Sequence, residues 1–342
     1  EGTSRFNLII GQNGAGKTNI LEALSLFAPG RGLRRASLQD MTRTGSQDGF
    51  AISAQLTGDA PSDPVTLGTG TDIVQPGRRQ VRINGSRSTA TALGEWLSLC
   101  WLTPAQDRLF TDSAGARRRH MDRMCLALFP SHSVYAARYE AALRERNRLL
   151  AGEDAPEPAW MDSLEAQMAS AGSLLAQGRV RLTARLQEAL ADESPSPFAR
   201  PHLVYCPAAP LEEEALAETL ARSRSKDRSA GRSLVGPHRD ELDVTMEGTG
   251  APAAQCSTGE LKAMLVAMTL AHAALSAQGR PSLLLLDEIA AHLDPLRREA
   301  LFDRLRVSGA QVWITGTEHA PFADIEGEAA IWEVERGTVR RV

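Results

Sequence analysis

At 342 residues the chain has room for about two domains of roughly 150 residues each, and its 42% apolar and 23% charged residues exclude disordered and collagen-like chains. Thirty-eight basic against 42 acidic residues give a formal charge of −4, which removes a globally basic nucleic-acid-coating protein and leaves only local patches for such binding. No run reaches the roughly 18 apolar residues of a spanning helix, Glu1–Arg5 carries no signal-peptide pattern, and Cys100, Cys125, Cys206 and Cys256 form no Cys-x-x-Cys pair, so the expectation is a cytoplasmic protein with reduced thiols and no membrane partner.

Phe6–Ile10 reads as a short buried strand that runs into Gly11, Gln12, Asn13, Gly14, Ala15, Gly16, Lys17 and Thr18, followed by the helical pattern Ile20, Leu21, Ala23, Leu24. Strand, glycine loop and helix at this spacing form a P-loop. Its glycines let backbone N–H groups curl around phosphate oxygens, Lys17 reaches the terminal phosphates, Thr18 binds Mg²⁺, and the helix N-terminus adds partial positive charge. The chain opens almost directly on this strand without an initiating Met, so the N-terminal edge of the first domain is expected to lie outside this sequence.

Arg31, Arg34 and Arg35 cluster just after the P-loop helix. Phe50–Leu56, Val65–Leu67 and the alternating Val81-Arg82-Ile83, which follows Arg78 and Arg79 and ends in an Asn84-Gly85 turn, predict a supporting antiparallel sheet. Arg117, Arg118 and Arg119 open a helix. Ala136–Leu150 and Met161–Leu190 are helical, separated by Gly152, Pro156 and Pro158; Met161, Met168, Leu175 and Leu182 recur every seven residues, as in an antiparallel hairpin within a packed helical subdomain. Arg138, Arg144, Arg146 and Arg148 read as a basic solvated face, with Glu140 and Glu145 as helical ion-pair partners. With 5% aromatic residues, a base-stacking platform is not expected, and backbone recognition is. His238-Arg239-Asp240 lies in a loop that leads into the strand of Leu242 and Val244, with a role near the nucleotide as its one functional reading.

Cys256-Ser257-Thr258-Gly259-Glu260-Leu261-Lys262 opens a strongly apolar helix, and in isolation its Ser is an ordinary N-cap. Ser282–Leu286 carries four leucines, as suits a parallel strand buried on both faces, and ends in Asp287 and Glu288. Beside a P-loop the first carboxylate holds Mg²⁺ and the second polarises the attacking water. Glu288 and Lys17 are therefore the catalytic pair, and Thr18 and Asp287 the metal ligands. Gln311–Thr315 is a further buried strand, with Thr317 and His319 just beyond it.

P-loop, Ser257-Thr258-Gly259-Glu260, Leu-Leu-Leu-Leu-Asp287-Glu288 and Ala291-His292-Leu293-Asp294 stand in the order of an ABC-type ATPase, which the chain resembles. The resemblance implies that ATP is held by residues 11–18 and that Ser257, Thr258, Gly259 and Glu260 meet the γ-phosphate held by another copy. It also implies that Asp294 belongs to the D-loop and that Thr317 and His319 stand at the switch position. The separation of Gly11 from Ser257 exceeds that of a transporter subunit and falls short of SMC-type coiled coils.

Four further segments narrow the resemblance: Asn19-Ile20-Leu21-Glu22-Ala23, Trp101-Leu102-Thr103-Pro104 before Asp107-Arg108-Leu109-Phe110, Arg117–Arg123, and Leu234-Val235-Gly236-Pro237-His238-Arg239-Asp240. Over nearly its whole length the chain is similar to the bacterial RecF family of recombination mediators. That implies an α/β fold: an ABC-type P-loop ATPase lobe, SMC-head-like, with a mixed sheet and an antiparallel β subdomain over 1–100 and 231–342. A helical arm lobe over 101–230 is inserted in it. It implies an ATP-dependent homodimer, slow DNA-dependent ATP hydrolysis, binding at single-strand/double-strand junctions of gapped DNA, and assistance to RecA loading with RecR and RecO in repair, replication and the SOS response. Arg31, Arg34, Arg35, Arg117, Arg118 and Arg119 are the DNA-contact candidates. RecF sequences carry additional N-terminal strands, one of which helps hold the base, and commonly have Gln where Leu261 stands, which implies reduced hydrolysis. A transporter ATPase subunit and a non-hydrolysing repair scaffold are the competing readings.

Overall fold

The computed structural model describes residues 4–43, 48–57, 64–154, 156–191, 197–290 and 293–342. The chain folds as two compact units, residues 1–107, 193–199 and 257–342 in the first and residues 108–192 and 200–256 in the second.

The first unit is built on a six-stranded sheet that uses both ends of the sequence. β1 (Phe6–Ile10), β6 (Ser98–Leu102), β9 (Ser282–Leu286), β10 (Gln311–Gly316) and β11 (Ala329–Glu335) are parallel, β12 (Thr338–Arg341) is antiparallel at one edge, and the order is β12-β11-β1-β10-β9-β6. All residues of β1 and β6 are buried, as are the four leucines of β9, which is how strands covered on both faces read in sequence. The covering helices include α1 (Lys17–Ser25) and α7 (Thr258–Ala277). By length and composition α7 could cross a membrane, contrary to the sequence expectation, but 78% of its apolar stretch is buried within the fold. It is a core helix. α2 (Ala90–Trp96) leads into β6, α8 (Pro295–Val307) follows β9, and α9 (Ala323–Glu326) leads into β11.

A second, antiparallel sheet has the order β2 (Ala51–Leu56), β3 (Val65–Gly70), β4 (Gln80–Ile83), β5 (Ser86–Ser88). Asn84 and Gly85 both have positive φ, 49° and 80°, so the β4–β5 turn is the type I′ hairpin that their identities predict. One face of this sheet, with Leu67 and Val81 at its centre and Ile52, Ala54 and Ile83 around them, packs into the same core as Ile9, Leu21, Phe27 and Leu285.

The second unit contains α3 (Ala114–Leu128), α4 (His132–Leu150), α5 (Pro158–Ala191), α6 (Glu213–Ala230) and the antiparallel pair β7 (Pro201–Cys206) and β8 (Glu241–Met246). Met161, Met168, Leu175 and Leu182 are all buried along α5, in the seven-residue stripe of the sequence. The boundary of this unit differs from the expected 101–230. Residues 101–107 stay with the first unit because β6 completes its parallel sheet, and residues 231–256 join the second because β8 pairs with β7.

Arg146 corrects a second expectation. Rather than facing solvent, it is fully buried and bonds Glu165 (Nε to Oε1, 3.1 Å), Asp227 (2.7 Å), Ser233 Oγ (2.7 Å) and the Leu220 carbonyl (3.1 Å). Arg144 and Arg148 do form the exposed helical pairs with Glu140 and Glu145. His238 and Asp240 belong to a neighbouring knot in the same unit. Arg179 grips both oxygens of Asp122 (2.9 and 3.0 Å) and reaches Asp240 Oδ2 at 2.9 Å, while Tyr205 also donates to Asp240. His238 Nε2 donates to Ser233 O (3.1 Å), which leaves Nδ1 to accept from the Tyr139 hydroxyl at 2.8 Å. That is the neutral ring, and burial depresses its pKa accordingly. These groups spend their hydrogen bonds on structure, so the loop of His238 is a packing element. Gly236, at φ 132°, faces that hydroxyl, where a Cβ would collide.

Truncating a buried charge partner leaves the other charge uncompensated, at about 3–5 kcal/mol. Arg146→Ala, which strands Asp227, should lower stability by about that amount in urea unfolding; an unchanged midpoint would mean that these charges are in contact with water.

Candidate nucleotide site

Parallel strands deliver their carboxyl ends to one edge of a sheet, and here β1, β9 and β10 end side by side. The loop after β1 is held close: Gly11 N donates to Gly316 O at 3.2 Å, and Gly337 N to Ala15 O at 3.0 Å. A Cβ on Gly11 would stand 2.5 Å from Val334 O, so glycine is required there. Gly14 and Gly16 adopt φ of 82° and 113°, which L side chains resist. Gly16 caps α1 without a side-chain acceptor, so the first N–H groups of the helix remain available to an oxyanion.

Lys17 is only 3% exposed, and its Nζ donates to Gly11 O (2.8 Å) and Gln12 O (3.2 Å) with Glu288 Oε1 at 3.5 Å. Thr18 Oγ1 lies 3.4 Å from Asp287 Oδ1. Lys17, Thr18, Asp287 and Glu288 are therefore brought together from opposite ends of the chain. Glu288 has φ 54°, a left-handed conformation uncommon for a residue other than glycine.

Thr315 is a site residue that sequence reasoning placed only in a strand. It is fully buried, its hydroxyl donates to Asp287 Oδ1 at 2.7 Å, and it accepts Glu288 N–H at 2.9 Å. Both carboxylate residues thus hang on one hydroxyl. Lys262 and Asp107 were also missed as a pair: their ionic groups are 3.6 Å apart, and burial pushes the Lys262 ammonium below its ordinary value against the opposing pull of Asp107 and Glu288. Gln106 accepts Thr103 N–H through Oε1, while its buried Nε2 has no partner among the described residues.

Ser257 is the N-cap of α7 and forms a full capping box with Glu260. Glu260 Oε2 accepts the Ser257 N–H (2.8 Å) and hydroxyl (2.7 Å), which lowers its pKa. Ser257, Thr258 and Gly259 are exposed, and the hydrogen bonds of Ser257 stay within its own turn. Leu261 is buried. Asp294 caps α8 through Arg297 N (3.0 Å), Thr317 is exposed, and His319 pairs with Glu326 at 2.9 Å. Ala291 and His292 lie outside the described residues.

The arginine candidates separate into two groups. Arg31, Arg34, Arg35 and Arg119 are exposed, and Arg34 is anchored through its N–H to Glu22 Oε2 (2.8 Å), whose pKa burial raises. Arg117, in contrast, is spent on a two-bond pair with Glu241 (2.7 Å each), and Arg118 donates to Asp240 O at 2.7 Å. Arg117 and Arg118 thus each carry a contact within the second unit.

Among the described residues no three His, Cys, Asp or Glu side chains gather as a metal site. Thr18 and Asp287 suit Mg²⁺ as a partial shell, the rest coming from phosphate oxygens and water, which is how this ion is ordinarily bound.

The sequence matches the RecF/RecN/SMC N-terminal domain family over residues 1–340. It is 45% identical over 344 residues to the DNA replication and repair protein RecF of Mesorhizobium japonicum, covering 96% of this chain and 90% of that one. The fold is similar to a solved structure of the recombination mediator RecF with ATP (TM-score 0.85, 22% identity, 100% of this chain and 92% of that chain). It is also similar to the Smc head domain of Pyrococcus furiosus (TM-score 0.52, 17% identity, 98% and 89%).

Thr315→Val keeps the shape of the side chain but leaves Glu288 N–H without its buried partner, at a cost of about 1–3 kcal/mol. Nucleotide turnover should fall by tenfold or more while nucleotide affinity changes by less. Turnover equal to that of the parent chain would show that Thr315 does not position the carboxylates.

Proposed function

Because the chain belongs to the RecF branch of the RecF/RecN/SMC family, we propose that it is an ATP-gated DNA-binding protein of recombinational repair. ATP joins two copies at the single-strand/double-strand junctions of gapped DNA in the cytoplasm, and slow, DNA-dependent hydrolysis resets them. RecR and RecO are its proposed partners in assisting RecA loading. The observation that carries this reading is the convergence of Lys17, Thr18, Asp287 and Glu288 at one sheet edge, while the Ser257 turn stays exposed at the start of α7. A solved relative named as a complex with ATP supports the choice of nucleotide.

In this mechanism the loop amides and Lys17 bind the phosphates, and Lys17 exchanges the carbonyls of Gly11 and Gln12 for phosphate oxygens. Thr18 and Asp287 would hold Mg²⁺, which would draw charge from the phosphates. Glu288 accepts the proton of the attacking water, in reach of the same centre. Ser257 and Gly259 of one copy complete the site of the other, with Asp294 at the same junction and Thr317 and His319 beside the γ-phosphate. Leu261, buried where a Gln would carry a polar amide, limits turnover. Arg31, Arg34, Arg35 and Arg119 are the remaining DNA contacts from the sequence clusters.

Three variants separate the steps. Lys17→Ala should abolish ATP binding in calorimetry. Glu288→Gln, which binds but cannot accept the proton, should double in solution mass with Mg-ATP in light scattering. Ser257→Arg should stay monomeric while still binding ATP, and dimerisation equal to that of the parent chain would defeat the composite site.

A further inference from the structure

The second face of the antiparallel sheet in the first unit has no part in the core or in the nucleotide site. Side chains alternate across strands, so with Leu67, Val81 and Ile83 turned inward, Ser53, Gln55, Thr66, Gly68, Arg82 and Arg87 lie on the outer face; all but the half-buried Gly68 are exposed. Ser53, Gly68, Arg82 and Arg87 form one continuous cross-strand row, with Gly68 directly opposite Arg82 and Arg82 directly opposite Arg87.

Two arginines in direct cross-strand register repel each other and destabilise the pairing. Directly opposed Cβ atoms stand only about 4.5–5.5 Å apart. No carboxylate relieves the repulsion: among the described residues neither arginine forms an ion pair, and Arg82 donates only to Gly85 O at 3.2 Å. From residue 49 to 89 the sequence carries Arg78, Arg79, Arg82 and Arg87 against Asp59, Asp63 and Asp72, of which only Asp72 lies among the described residues. Asp72, in the β3–β4 loop, is engaged by Gln75 N (2.7 Å) and by Gln80. Charged residues on edge strands commonly block strand addition, which accounts for Arg87 on β5. Arg82 lies on the inner strand β4, where no edge needs protection.

The pair is also rigidly mounted. The type I′ turn fixes its register, and Asn84 Oδ1 accepts Thr66 N–H at 2.8 Å, which braces the turn against β3. Arg79, at the start of β4, is turned away from the face and bonds the carbonyls of Leu26 and Gly30, the latter at 2.7 Å. It thereby ties the sheet to the loop that carries Arg31, Arg34 and Arg35.

We propose that this outer face is a binding surface for the phosphodiester backbone of nucleic acid, with Arg82 and Arg87 each taking a phosphate and Gly68 leaving the surface beside them clear. The proposal rests on the DNA-binding reading above and gives it a surface. Two exposed arginines with no ion-pair partner among the described residues, in a chain of formal charge −4, suit a polyanion. Among the described residues no aromatic side chain stands on this face for bases to stack on, so contact is with the backbone and independent of sequence.

The test measures fluorescence anisotropy of a gapped duplex with the full chain and Mg-ATP across a salt series. Each phosphate contact contributes about 0.9 to the slope of log affinity on log salt. Arg82→Ala/Arg87→Ala should therefore lower the slope by about 2 and the affinity at ~100 mM salt by at least about tenfold. ATP affinity should be unchanged and the melting temperature should not fall, since the cross-strand repulsion is removed, and Arg82→Lys/Arg87→Lys should restore the slope. If the parent chain binds DNA and the Ala variant binds with the same slope, this face is not a backbone surface, although the DNA-binding reading stands. If the parent chain itself shows no salt-dependent DNA binding, that reading fails and the proposal with it.

Discussion

The parallel register of β1, β9 and β10 is the constraint from which the rest of the site follows. Strands buried on both faces are mostly apolar along their length, and parallel strands end together. The P-loop, the Asp287-Glu288 pair and Thr315 are thereby placed at one edge without any long-range recognition among the residues themselves. β1 lies between β10 and β11, so the first strand is flanked by two strands from residues 311–335. The loop of residues 11–16 is then clasped by Gly316 and Gly337, which makes the geometry of a local motif depend on the far end of the chain.

The second unit solves a different problem, that of fixing helices and a two-stranded sheet with little strand pairing to orient them. It uses buried guanidinium groups. Arg179 on α5 joins Asp122 of α3 to Asp240 beside β8, and Arg146 on α4 joins Glu165 of α5 to Asp227 of α6. Such pairs add little net stability over apolar packing, because desolvation offsets the attraction. Their planar forks accept only a few partner geometries, so they tie four helices in a defined register. The Gly236–Asp240 segment is one wall of this arrangement.

The sequence made most of the fold legible because its signals are local. The glycine loop is eight contiguous residues, the β9 leucines run straight into their carboxylates, the Asn84-Gly85 turn specifies its own hairpin, and the stripe of α5 repeats every seven. Thr315 was not legible, since nothing in Gln311–Thr315 distinguishes its hydroxyl until Ile314 is paired with Leu286. The arginines were hardest to read. Arg146 and Arg148 are two residues apart on one helix, yet one is wholly buried and the other solvated, because on a helix positions two apart face different directions. Arg117 and Arg119 divide in the same way. A basic run in sequence records charge, and only the partners found in three dimensions decide whether that charge is left over.

The same accounting of partners bears on how nucleotide and catalysis are linked. Glu288 is held in a left-handed conformation, an arrangement that costs about 1–3 kcal/mol and persists only where surroundings enforce it. Here the enforcement comes from Thr315 on its N–H and Lys17 near its carboxylate. The Lys17 ammonium has three N–H donors and no acceptor; it bonds Gly11 O and Gln12 O, with Glu288 Oε1 at ion-pair distance, 3.5 Å. A phosphate that enters the loop competes for these donors. In the proposed mechanism the carbonyls of Gly11 and Gln12 yield these donors to the phosphate, while the Thr315 bond keeps the Glu288 backbone in place. The pairing of Lys17 with Glu288 therefore sets the proposed base beside the residue proposed to bind the phosphates.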